Sequence, residues 1–131
     1  MPNYKDIKYQ FPAESLVSGS VANARISSGS VTQHVEPYIQ WQSVVTTATT
    51  TVAGRGYPVN TTGGAITMTL PASPSAGDYV AIKDYAATFQ TNSCVIARNG
   101  SNIQGVANNS EITTTRASVV LVYADATKGW L

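Results

Sequence analysis

Residues 65–70, Ala-Ile-Thr-Met-Thr-Leu, alternate apolar and hydroxyl side chains, the period of a half-buried strand. Ile66, Met68 and Leu70 are assigned to its inner face and the threonines to its outer face. Runs rich in Val, Ile, Thr and Tyr predict further strands over 43–53, 57–62, 79–85, 93–98, 112–115 and 118–123. In the 79–85 strand, Val80 and Ile82 point inward. Gly54-Arg55-Gly56 breaks the first run, and Gly63-Gly64 reads as a tight turn. The proline-rich stretch 71–78 is a loop, and Asn99-Gly100-Ser101-Asn102 is a turn. Short strands punctuated this regularly predict a β-sandwich of jelly-roll type. Trp130, near the end of the chain, is expected to pack over an open end of the core.

The pattern changes upstream of about residue 41. Residues 12–40 contain a ten-residue repeat: Leu16-Val17-Ser18-Gly19-Ser20-Val21 returns as Ile26-Ser27-Ser28-Gly29-Ser30-Val31. So sparse an apolar content cannot form a core within one chain. Three copies side by side would bring Leu16, Val21, Ile26 and Val31 together on a shared axis, with Gly and Ser allowing close approach. A Ser-Gly linker is the other reading of the same segment. Residues 1–11 carry Tyr4, Tyr9 and Phe11 among charged residues and suit attachment to another protein. The expected organisation is an attachment segment (1–11), a trimeric stalk (12–40) and a β head (41–131).

Composition agrees with an all-β chain. The 131 residues include sixteen threonines and thirteen serines but four leucines, and Leu, Glu, Lys and Arg are the residues helices are built from. Charged residues make up 11% and the net charge is +1, with no basic cluster to displace phosphate counterions, so nucleic acid is not an expected partner. The longest strongly apolar run, Val119 to Tyr123, is far short of the ~20 residues of a membrane-spanning helix, so no membrane partner is expected. The N-terminal residues lack the apolar core of a secretory signal, which predicts synthesis in a cytoplasm. A sole cysteine, Cys94, excludes an internal disulfide and is expected as a buried thiol.

Candidate chemistry is thin. His34 and Glu36 share one face of an extended segment, but two ligands do not make a metal site. A Ser-His-Asp arrangement would have to use that same His34, outside the compact domain. Asp78, Asp84, Glu111 and Asp125 are the carboxylates of the head, and no spacing pairs two of them as a glycosidase requires. No catalytic residue, metal or cofactor is therefore assigned. Loops 99–104 and 107–111, rich in Asn, Ser and Gln, offer hydrogen bonds to sugar hydroxyls, while Tyr57, Tyr79 and Tyr85 offer stacking faces. From these, Asn99, Ser101, Asn102 and Tyr57 are the candidate receptor contacts.

The run from Thr61 to Gly105, containing LPASPSAGD, and the later VVLVYADATKGW resemble a domain of tail-fibre and other virion-surface proteins of tailed bacteriophages, notably marine and cyanobacterial ones. The upstream SGSVANARISSGSVTQHV is similar to the shaft repeats that precede such domains. The resemblance covers most of residues 15–131. It implies a homotrimeric fibre or spike on a virion, made in the host cytoplasm, anchored to another virion protein through its N-terminus and contacting a host surface glycan. The short length also suits a capsid decoration or head-fibre protein that stabilises the shell without recognising a host, and that alternative stays open.

Overall fold

The alternation over 65–70 is realised as a strand with Ile66, Met68 and Leu70 buried. In this computed structural model, which describes residues 38–131, nine strands form and there is no helix among the described residues. They are β1 (Gln40–Trp41), β2 (Thr49–Thr50), β3 (Arg55–Val59), β4 (Ile66–Thr69), β5 (Tyr79–Asp84), β6 (Cys94–Ala97), β7 (Ser110–Ile112), β8 (Ser118–Asp125) and β9 (Gly129–Trp130). The described residues are all-β, as expected. Leu16, Val21, Ile26, Val31, His34 and Glu36 lie outside the described residues.

Two mixed sheets carry these strands, one in the order β1-β3-β5-β8-β9 and the other β2-β4-β6-β7. The first six strands alternate between the sheets, and within each sheet the first three run parallel. The chain therefore winds through three coils. Register aligns Gln40, Arg55 and Val80 in the first sheet and Thr49, Met68 and Ile96 in the second. Antiparallel strands then close the stack: β7 pairs with β6, and β8 pairs with β5.

This departs from the expected jelly roll, whose strands pair antiparallel. Gly63-Gly64 carries the chain from β3 in one sheet to β4 in the other, not back along the same sheet. Residues 43–53 do not form one long strand. They contribute a single bridge from Val45 to Val59 and the short β2, because the chain turns there toward the second sheet. Residues 38–40, assigned by sequence to the stalk, belong to the head, where Gln40 and Trp41 pair with Arg55 and Gly56.

One core lies between the sheets. Tyr57, Val59, Val80, Ile82 and Leu121 from the first sheet meet Ile66, Met68, Cys94 and Ile96 from the second. Each large apolar side chain buried here contributes about 1.5–3 kcal/mol relative to exposure. Cys94 is the buried thiol expected; burial, with the negative charge of Asp84 adding to it, pushes its pKa up to about 12. Trp130 is fully buried, with the Tyr123 ring set edgewise 5.5 Å away. Its approach depends on Gly129 (φ 71°), where any Cβ would collide with the Asn102 carbonyl. That carbonyl accepts the Trp130 backbone N–H at 2.9 Å.

Candidate functional site

The alternation that turns Val80 and Ile82 inward also turns Asp84 inward, at the end of β5. Asp84 is 4% exposed, and a bare carboxylate so placed would be costly. Three backbone N–H groups solvate it: Thr88 at 3.2 Å, Phe89 at 3.3 Å and Arg116 at 2.9 Å. Burial acts to raise its pKa, but the N–H groups of Arg116, Thr88, Phe89 and Ala87 outweigh it and hold the carboxyl below its ordinary range. The acid is thus a fastener. It ties the loop after β5 to the loop between β7 and β8.

Between those loops opens a cleft of about 390 Å³ lined by Lys83, Asp84, Tyr85, Ala86, Ala87 and Arg116. Lys83 Nζ donates to the Arg116 carbonyl at 3.2 Å, and Thr115 Oγ1 donates to Gln90 Oε1 at 2.9 Å, so the walls are bound to each other. Ala87 and Arg116 both hold left-handed backbone, at φ 58° and 61°. Such conformations persist where surrounding bonds over-determine them. Tyr85 is 58% exposed beside this cleft. The arrangement offers an aromatic face, an ammonium and a guanidinium on a frame that is already set.

The cleft belongs to a row of turns leading from the first sheet to the second. Thr61 and Thr88, from successive turns, share a hydroxyl hydrogen bond of 2.8 Å, and Asn92 Nδ2 donates to the Thr61 carbonyl. The turns of the first two coils border a second cavity of about 360 Å³, lined by Thr46, Thr47, Ala48, Asn60 and Gly63 to Ile66. Asn60 Oδ1 caps this turn through the Thr62 N–H. The edge is consequently rich in hydroxyl and amide groups with fixed orientation.

The candidate contacts named from sequence fall elsewhere. Tyr57 is buried, and its hydroxyl accepts the Val52 N–H at 2.8 Å, so it presents no stacking face. Inward alternation within β3 explains the correction. Asn99, Ser101 and Asn102 lie together on the opposite edge, among the turns that return from the second sheet. Asn99 Nδ2 donates to the Leu70 carbonyl, Asn102 Nδ2 to the Thr127 carbonyl, and the Ser101 carbonyl accepts from Arg98. Their hydrogen-bonding groups hold turns in place. Tyr79 is half-buried, its hydroxyl donating to the Tyr38 carbonyl.

Sequence reasoning noted Asp84 and Tyr85 but missed that they share a cleft with Arg116. The available signal was an acid at an inward position of a strand, followed by a loop able to turn N–H groups back upon it. The other acids match their turn readings: Asp78 Oδ2 accepts the Ser75 N–H, and Asp125 Oδ1 accepts those of Thr127 and Lys128. Among the described residues, no group of three or more His, Cys, Asp or Glu side chains is placed to hold a metal ion. No family model matches the chain, and no curated protein matches it at a significant level.

Proposed function

We propose that this chain is a structural protein of a tailed-phage virion, a homotrimeric fibre or spike on the particle surface that contributes to attachment to a host glycan. Residues 12–40 form the trimeric stalk in this reading, and residues 1–11 join it to another virion protein. Support for the assembly comes from the ten-residue repeat and from the resemblance to phage surface fibres. Support for attachment rests on one observation. An exposed Tyr85 ring stands beside Lys83 and Arg116 in a cleft whose two loops are fastened by Asp84.

A ring face stacks on the apolar side of a sugar, while the two cations hydrogen-bond its hydroxyl or acidic groups. Because the loops are tied before a ligand arrives, little ordering entropy is lost on binding. The test is adsorption of the purified full chain to host cells in competition with phage. Wild-type protein is expected to block attachment, and Tyr85→Ala with Arg116→Ala to lose most of that effect. Absence of adsorption by the wild type, together with hundreds of copies per particle, would favour the capsid-decoration reading.

A further inference from the structure

We infer that the outer face of the five-stranded sheet is the surface through which the heads of neighbouring copies of this chain pack together; this rests on the trimeric-stalk reading above. Register builds the face. Trp41 of β1, Gly56 of β3, Ala81 of β5 and Val120 of β8 lie in one cross-strand row, since Trp41 pairs with Gly56, Gly56 with Ala81 and Ala81 with Val120. In the adjacent row Tyr79 pairs with Val122, and Val122 exchanges two backbone hydrogen bonds with Leu131. Facing residues of paired strands project to the same side, so both rows are on the surface away from the core.

The rows are apolar, and their flanks are open while Gly56 and Ala81 between them are buried. Trp41 is 53% exposed, Val120 48%, Val122 42% and Leu131 50%. Gly56 and Ala81 make a low floor between them. A Cβ at Gly56 would come within 2.6 Å of both Ile39 and Trp41, whose side chains rest against that strand. Charge is confined to one margin, where Lys83 stands in the next row between Pro58 and Ser118. A surface of this composition resembles the centre of a homomeric interface, where charged residues are depleted and aromatic ones enriched. Its two rows carry no ionised side chain, so little charge is desolvated when they are covered.

The way the chain joins this face selects the second copy as occupant. Tyr38, the first described residue, is fixed at this face by its carbonyl, which accepts the Tyr79 hydroxyl at 3.1 Å. The described head therefore begins beside this face. In the trimeric-stalk reading three chains enter their heads at Tyr38, which brings three copies of this face into one neighbourhood. A threefold arrangement sets one margin of the face against the other margin of the next copy's, which does not require a self-complementary patch.

Trp41 reports on this directly, because Trp130 is fully buried and gives a constant background. In the full chain, sedimentation gives the oligomeric state, and acrylamide quenching gives the access to Trp41. The expected result is an oligomer with Trp41 shielded, and a several-fold rise in quenching for Val120→Arg with Val122→Arg. An oligomer whose Trp41 is freely quenched overturns the packed-head inference while leaving the stalk intact. Shielding that the two arginines do not change assigns the cover to residues 1–37 and also overturns it. A monomeric wild type overturns the stalk reading and this inference together. If the variant fails to fold, diluting the wild type to monomers makes the same distinction: quenching of Trp41 is expected to rise on dissociation, and unchanged quenching overturns the inference.

Discussion

Asp84 shows how one residue can be both a threat to the core and its organiser. Its carboxylate is buried at the end of β5, and its oxygens take three backbone N–H groups from two loops. Replacing it with asparagine puts an amide donor where those donors converge, so Asp84→Asn is expected to lower stability by about 2–4 kcal/mol in urea unfolding. The pH dependence has a definite sign. The folded pKa lies below the ordinary value of 3.8, so this contribution is complete above that pH and is lost as pH falls through the folded value. Asp84→Asn should therefore flatten the acid limb of the stability curve relative to wild type. An unchanged limb would mean that the carboxylate is not a fastener.

Cys94 has the opposite sign. Its thiol is raised from 9.0 to about 12, so the neutral form is favoured by folding and stability falls as pH rises between those values. The same burial predicts that a thiol reagent leaves Cys94 unmodified in the folded protein at pH 8 and modifies it fully in urea. Rapid labelling under native conditions would place the thiol at the surface instead.

Among elements, the β8–β9 pair depends on a contact that no strand pattern reveals. Gly129 lies against the Asn102 carbonyl so closely that a methyl group has no room. Gly129→Ala must push apart the loop and the strand end, breaking the Trp130-to-Asn102 hydrogen bond and unseating a fully buried indole. A loss of about 3–5 kcal/mol is expected, the range of a large aromatic truncation in a core. Gly77→Ala meets open space, and only its positive φ of 91° resists the change, so its loss is about 1 kcal/mol. Thermal unfolding of the two variants measures the difference; equal losses would show that the Asn102 contact has room to relax.

Strand positions were legible to a useful degree. The period-two pattern locates β4 and β5 and orients Ile66, Met68, Val80 and Ile82 as found. Strand direction was not legible, because in–out alternation is the same in parallel and antiparallel ladders. The winding was hidden for a further reason. Gln40, Arg55 and Val80 stack on each other, but the intervals between them, 15 (55 minus 40) and 25 (80 minus 55) residues, are unequal, so the coils leave no fixed repeat in the sequence. The cleft was illegible because Tyr85 and Arg116 are distant in the chain and meet only when β8 pairs with β5.

For the whole molecule, the winding implies a gradient of stability from one end of the stack to the other. The first coil offers only the two-residue strands β1 and β2, each paired on one side by a following coil. Its outward residues Trp41, Val44 and Val52 are substantially exposed. In the third coil, β5 is flanked on both sides by β3 and β8, and β6 by β4 and β7. Repetitive folds gain stability from each neighbouring coil, so an end with one neighbour opens before an interior with two. Hydrogen exchange in the full chain should find the amides of Gln40, Gln42, Val45 and Thr51 exchanging orders of magnitude faster than those of Val80, Ile82, Ile96 and Leu121. Packing of neighbouring heads through the outer face would act on this gradient selectively, since Trp41 is in the weakest coil. Dissociating the oligomer should then accelerate exchange at Gln40 and Gln42 while leaving Ile96, in the other sheet, nearly unchanged. Uniform acceleration throughout the head would mean that assembly stabilises the domain globally, not through this surface.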